Sequence, residues 1–257
     1  MNFCVLIPAR MASTRLPGKV LLDVGGLPMI EQVRRRALES GAARVVVATD
    51  HEEVMACVQD FGGEAVATDP SHHCGSERLA EAARLLALPD EAIIVNLQGD
   101  EPLMDPGLLA ATAALLETHP HCPMATAAVP IRTWSELANP HVVKVVMDGQ
   151  DRALYFSRAP IPWDREHFPL DGNAPLPPGA YWRHLGLYAY RSAFLQTYAA
   201  WAPTPLERSE SLEQLRALEH GVGIAVYRGS TAPAAGVDTA ADLERLRAHF
   251  SSSPKEM

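Results

Sequence analysis

Three cations, Arg10, Arg15 and Lys19, fall within the segment PARMASTRLPGK (8–19), and no acidic residue lies among them. Small residues (Ala9, Ala12, Ser13, Gly18) separate them and let a ligand approach the backbone closely. This composition suits a loop that holds an anion, and a nucleoside triphosphate is the natural candidate. The loop is not a Walker A motif: Lys19 is followed by Val20, so the hydroxyl that would bind magnesium is missing. Nor is it GxGxxG, which disfavours a dinucleotide fold. The cations could also be merely solvated, but their position directly after an apolar run favours a ligand.

A second group of residues could serve the same chemistry. QGDEP (98–102) follows another apolar run, and Gly99 permits a tight turn there. Asp100 and Glu101 are thereby delivered to the carboxyl end of a strand, where open α/β sheets bind ligands. Magnesium prefers oxygen ligands and typically keeps one or two carboxylates plus phosphate oxygens. The alternative for these acids is capping of the next helix, which suits Asp105, just before Pro106, better than Asp100. Glu101 is read as support for the turn. SHHCGSER (71–78) brings two histidines and a cysteine together, but adjacent residues cannot easily converge on one tetrahedral zinc.

These groups need elements to position them. Strands are expected at 3–7, 44–49, 64–68 and 92–97, and helices at 28–40, 51–60 and 76–88. In the first helix Met29, Ile30, Val33, Ala37 and Leu38 share a face; Pro28 suits the first turn and Gly41 the stop. Such alternation predicts an α/β fold: a mostly parallel, Rossmann-like sheet with helices on both faces. The second half reads differently. Segments 124–129, 142–147, 153–157 and 185–190 are strand-like with few helices between them, which predicts an antiparallel extension. Residues 162–182, rich in Pro, Gly and aromatics, read as a long loop or lid. Helices return at 192–200, 209–220 and 239–249, and 251–257 reads as a tail. One domain is expected over 1–250, with a nucleotide part (1–125 and 222–250) and the antiparallel extension (126–221).

The chain has 257 residues, 47% of them apolar, and a net charge of −9. That balance argues against nucleic acid as a partner but leaves room for local steering of an anion by residues 10–19. No run reaches membrane-spanning length and no signal peptide is evident, so no membrane and a cytoplasmic location are expected. The four cysteines lack CxxC pairing, and Cys4 and Cys57 read as reduced core residues.

The opening motif resembles that of sugar nucleotidyltransferases, and the form PARxxSTRLPGK is most similar to the 3-deoxy-manno-octulosonate (Kdo) cytidylyltransferases. The resemblance continues through VVVATDHEEV (45–54), HHCGSERLAE (72–81), VNLQGDEPL (95–103), YFSRAPIPW (155–163), RHLGLYAYR (183–191), LERSESLEQLRAL (206–218) and GVDTAADLERL (236–246). It implies a nucleotide site at Pro8, Ala9, Arg10, Arg15, Lys19, Ser76, Arg78 and Gln98, with Ser76 near cytosine and Arg78 near sugar or phosphate. Arg78 could instead be an ion partner on its helix. It implies magnesium between Asp100 and Asp238, while Thr239 and Asp242 form a capping box on the last helix. It implies a sugar pocket at Arg158, His184, Tyr188, Glu213 and Gln214. His184 and Tyr188, four apart on a strand, share a face. From its sequence context alone, His184 reads as a core or surface residue, and Arg158 as a structural ion pair. Trp163, Tyr181 and Trp182 read as packing.

The implied reaction is CMP transfer from CTP to the 2-hydroxyl of Kdo, with Arg10, Arg15, Lys19 and Asp100 in catalytic roles, Mg2+ as cofactor and a homodimer as the assembly. Another acidic sugar, sialic acid or an 8-amino Kdo analogue, and a non-catalytic nucleotide sensor are the alternatives.

Overall fold

Val5, Leu6 and Ile7 are fully buried in β1 (Phe3–Ala9), because this strand has a neighbour on each side. Each such side chain contributes roughly 1.5–3 kcal/mol by leaving water. The computed structural model describes residues 2–252 except 13–14, 73, 167, 169–175, 178 and 235. The chain divides into two units, Met1–Ala110 with Pro233–Met257, and Ala111–Ala232.

In the first unit β1 leads through a 3-10 turn (Lys19–Leu21) into a short hairpin, β2 (Asp23–Val24) and β3 (Leu27–Pro28). There follow α1 (Met29–Glu39), β4 (Arg44–Thr49), α2 (Glu52–Asp60), β5 (Glu64–Ala67), α3 (Gly75–Leu85) and β6 (Ile93–Asn96). The next helix, α4 (Pro106–Thr118), contains the boundary between the units. The strand order is β6-β1-β4-β5, all parallel. The order reverses beside β1, so the loops after β1 and after β6 flank the switch point where doubly wound sheets bind ligands. These are the cationic loop and QGDEP. Strands and helices of this unit fall within two or three residues of their expected bounds. Pro28 caps α1 from outside rather than sitting in its first turn, and Gly41 (φ 76°) ends it.

The second unit contains β7 (Met124–Pro130), α5 (Trp134–Ala138), β8 (Lys144–Met147), β9 (Ala153–Ser157), β10 (Trp182–Arg191), α6 (Ser192–Ala199), α7 (Pro205–Glu210), α8 (Gln214–Glu219) and β11 (Ile224–Arg228). β10 runs antiparallel to β7 and β8, and β8 antiparallel to β9, as expected of this half. β11, not anticipated as a strand, runs parallel to β7. The helix expected over 209–220 is two helices. Ser211 (φ 52°) breaks it, and the Glu210 carboxylate just before the break accepts from Ser157 Oγ (2.6 Å) and the Arg158 amide (2.9 Å). Of the 162–182 loop expected as a lid, 167, 169–175 and 178 lie outside the described residues.

The chain returns to the first unit with α9 (Ala240–Ser252). Leu243 and Leu246 join Val24, Met29 and Val237 in a cluster that Phe250 covers. Phe250 presses on the β2–β3 turn so closely that a Cβ on Gly25 would lie 2.9 Å from its Cβ, and Gly25 has φ +66°. Only glycine meets both conditions. Residues 253–257 of the expected tail lie outside the described residues.

Candidate active site

Lys19 joins the two carboxylates of the first unit. Gly18, in the left-handed region (φ 66°), turns the cationic loop into the 3-10 helix and directs Lys19 inward. The Lys19 ammonium donates to Asp100 Oδ2 (2.5 Å), Asp238 Oδ1 (3.0 Å) and the Val237 carbonyl (2.8 Å). Burial works against its charge, but the hydrogen bonds and charges of Asp100 and Asp238 prevail and raise its pKa. Arg15 reaches Asp238 Oδ2 at 2.9 Å in a largely exposed pair, and Arg10 is exposed.

Backbone contacts bring Asp100 and Asp238 together from opposite ends of the chain. The Val237 amide donates to the Asp100 carbonyl (2.9 Å), and a Cβ on Gly236 would lie 3.2 Å from that oxygen. On the other side a Cβ on Gly99 would lie 3.0 Å from the Pro8 carbonyl. Two glycines therefore let three chain segments close on one point. Thr239 and Asp242 cap α9 reciprocally: the Asp242 amide donates to Thr239 Oγ1 (3.2 Å) and the Thr239 amide to Asp242 Oδ2 (2.7 Å). Asp238 is thereby left to face Lys19.

Glu101 is in a different state. Its Oε2 is buried and meets no hydrogen-bond partner among the described residues. Burial, with the charge of Asp100 adding, pushes its carboxyl up to about 8, so it holds a proton at neutral pH.

The other nucleotide candidates fall into two groups. Pro8, Ala9 and Gln98 meet around two glycines: the Cβ position of Gly99 is 3.5 Å from the Ala9 Cβ, and that of Gly75 is 3.7 Å from Pro8 Cγ and 3.8 Å from Gln98 Nε2. Ser76, buried in the first turn of α3, has its Oγ 3.1 Å from Cys74 Sγ. Arg78 points inward instead. It is 4% exposed, donating to Asp50 Oδ2 (2.6 Å) and Thr68 Oγ1 (2.5 Å), an internal ion pair that ties α3 to the ends of β4 and β5. In the loop before α3, His72 pairs with Glu81 (2.6 Å), and His73 lies outside the described residues. No group of three or more His, Cys, Asp or Glu gathers as a metal site among the described residues.

The sugar candidates belong to the second unit. His184 and Tyr188 share a face of β10, ring centroids 5.4 Å apart, with Phe156 edge-on to His184 at 4.9 Å. Full burial drops the His184 pKa to about 3, so the ring is neutral. The Tyr188 pKa is raised well above its usual value by burial, and the nearby Tyr198 and Glu213 add to the effect. Tyr198 donates its hydroxyl to the Glu213 carbonyl (2.8 Å). Next to Glu213, Gln214 is buried and its Nε2 meets no partner among the described residues. Arg158 donates to the carbonyls of Glu210 (2.7 Å) and Pro140 (3.0 Å), so it braces the α7–α8 connection.

A family model described as Cytidylyltransferase matches residues 4–224. The chain belongs to the cytidylyltransferase family. Two relatives are both called 3-deoxy-manno-octulosonate cytidylyltransferase. That of Acidithiobacillus ferrooxidans is 71% identical over 252 residues, 97% of this chain and 100% of the relative. That of Halorhodospira halophila is 53% identical over 251 residues, 98% of each chain. The solved structure of CMP:2-keto-3-deoxy-manno-octonic acid synthetase complexed with CTP matches with a TM-score of 0.87 at 41% identity, covering 97% of this chain and 98% of that one.

Several residues that shape this cytidylyltransferase's candidate site were not singled out from sequence. Lys144 is buried and donates to the carbonyls of Asn139 (3.0 Å), Val142 (2.5 Å) and Arg158 (2.5 Å), fixing the backbone beneath Arg158. Arg216 pairs with Glu207 (2.8 Å, Nε to Oε2) and lies over the Tyr198 ring, holding α8 against α7. Thr126 is the one hydroxyl in the otherwise apolar run MATAAV, and that contrast was its only signal.

Proposed function

We propose that the protein transfers CMP from CTP to the 2-hydroxyl of Kdo, releasing pyrophosphate and giving CMP-Kdo for lipopolysaccharide biosynthesis. The observation that carries this reading is the convergence of Asp100, Asp238 and Lys19 on one point beside the switch of the parallel sheet. Identities of 71% and 53% to Kdo cytidylyltransferases support the choice of sugar.

The donors around Lys19 suit magnesium. They are all oxygens, two of them carboxylates that already meet a single cation, which fits an ion that keeps one or two carboxylates plus phosphate oxygens. Asp100 and Asp238 would hold it, and when bound it supplies neutralisation of the triphosphate charge. The protein's own groups do the rest. Arg10, Arg15 and Lys19 bear the charge that develops on the departing pyrophosphate. Pro8, Ala9, Ser76 and Gln98 form the wall against which the nucleoside is placed. His184, Tyr188, Glu213 and Gln214 bind and orient the sugar through hydrogen bonds, and most of the rate comes from positioning and from charge stabilisation.

A homodimer formed through the second unit belongs to the same reading; Leu154 on β9 and Trp163 are large apolar side chains exposed at its surface. A cytoplasmic location belongs to the same reading; among the described residues no helix is long and apolar enough to cross a membrane. The test is pyrophosphate release from CTP with Kdo, sialic acid and an 8-amino Kdo analogue at matched concentrations. Kdo is expected to be fastest by a wide margin. Equal rates with sialic acid would overturn the assignment of the sugar.

A further inference from the structure

β10 departs from regular pairing with β7 between Leu185 and Tyr188: Leu185 faces Ala127 and Tyr188 faces Thr126, so Gly186 and Leu187 are extra. Bulges of this kind re-aim the side chains beside them. Thr126, fully buried, fills the gap. Its Oγ1 lies 2.7 Å from the Leu187 carbonyl, 3.2 Å from the Leu185 carbonyl and 2.9 Å from His184 Nε2. A hydroxyl has one proton to give and two lone pairs to receive with. If that proton went to the imidazole, two buried carbonyls would face the hydroxyl oxygen with no hydrogen between them, one at only 2.7 Å. The proton therefore goes to Leu187, and the hydroxyl receives from the ring. His184 then carries its hydrogen on Nε2. A neutral imidazole has only one, so Nδ1 keeps a bare lone pair, and no described residue bonds to it.

We propose that Thr126 is a positioning residue for the sugar: by accepting Nε2–H it fixes the tautomer of His184, so that Nδ1 accepts a hydrogen bond from a substrate hydroxyl. The second half of the site makes chemical sense of this. Gln214 Nε2 is a buried donor without a partner among the described residues, so His184 and Gln214 together offer an acceptor and a donor, the pair that hydroxyls of a polyol satisfy. A buried polar group left unmet is costly, which gives a ligand that meets it a corresponding gain. The link to sugar rests on the Kdo reading above; the tautomer does not.

The experiment is a long-range nitrogen–proton correlation spectrum of histidine-labelled protein near neutral pH, with His184 assigned by the peaks lost in His184→Asn. In wild type, His184 is expected to show a pyrrole-like Nε2 and a pyridine-like Nδ1, and Nδ1 is expected to move on addition of Kdo. Thr126→Val is expected to release the constraint, giving resonances averaged between tautomers. It is expected to raise the KM for Kdo about tenfold, as for one lost hydrogen bond, with that for CTP within about twofold. Thr126→Ser, which keeps the hydroxyl, is expected to restore both. His184 protonated at Nδ1 in wild type would overturn the proposal, even if Thr126→Val does not fold. So would an altered tautomer in Thr126→Val with an unchanged KM for Kdo. Wild-type protein that turns over no Kdo contradicts the choice of sugar; the tautomer spectrum still decides the role of Thr126.

Discussion

The two units of this protein prepare their ligand groups in opposite ways. In the first, the groups are charged and already paired: Lys19 holds Asp100 and Asp238, and Arg15 adds to Asp238. In the second, two of them are neutral, buried and partly unpaired: His184 sits between aromatic rings and Gln214 Nε2 has no partner among the described residues. A triphosphate and its metal can exchange with charges that are held in reserve, and the largely exposed Arg15–Asp238 pair costs little to rearrange. A sugar offers mostly hydroxyls, and discrimination among hydroxyls comes from polar groups that are unsatisfied without the right ligand. The first arrangement recognises charge, and the second recognises hydrogen-bond geometry.

The largest effect is expected where a charge is removed. Asp100→Asn and Asp238→Asn should each lose about a hundredfold or more in turnover, equivalent to roughly 3 kcal/mol of transition-state stabilisation, with folding intact. Steady-state kinetics at limiting magnesium measures this, and near-normal turnover in both would remove the metal assignment.

A protonation change in the second unit comes next. The His184 pKa is about 3 in the folded chain, against an ordinary value of 6.5. The folded state thus binds fewer protons than the unfolded one between those values. The resulting stability is fully present above pH 6.5 and is lost as pH falls toward 3, by at most on the order of 4–5 kcal/mol. Urea unfolding of wild type and His184→Asn from pH 7 to 4 should show a steeper loss in wild type; parallel curves would place His184 in contact with water.

Lys19→Met should separate the two ions that compete for one place. With the ammonium gone, manganese, used as a probe for magnesium, should bind the nucleotide-free protein about tenfold more tightly, whereas CTP should bind more weakly. Calorimetric titration of each ligand reads both; unchanged affinities would make Lys19 a structural residue only.

The smallest effect concerns the unused donor. Gln214→Leu removes a buried Nε2 donor that has no partner among the described residues, so the sugar-free protein should gain about 1 kcal/mol in stability while the KM for Kdo rises. A loss of stability on chemical denaturation would mean that the amide is satisfied in solution.

The same contrast governs what the sequence made legible. Apolar runs such as 3–7 and, but for Asn96, 92–97 disclosed the parallel sheet, because strands covered on both faces need near-continuous apolar residues. The charged loop and QGDEP were legible because each directly follows such a strand. The partner of Arg78 was not: Asp50 lies 28 residues away, and only the fold brings it near. The break of the expected 209–220 helix was likewise hidden, since it accompanies long-range demands on Glu210 and Glu207. The role of Thr126 depends on a bulge in a strand some 60 residues later, and no local pattern encodes that pairing.

The central claim, that the charges of the first unit serve catalysis, is tested most directly by one rate: pyrophosphate release from CTP and magnesium with Kdo, against the same mixture without sugar. The account requires release that depends on the sugar, saturates with it and is abolished in Asp100→Asn. CTP binding with no sugar-dependent release would contradict it and make the chain a nucleotide sensor.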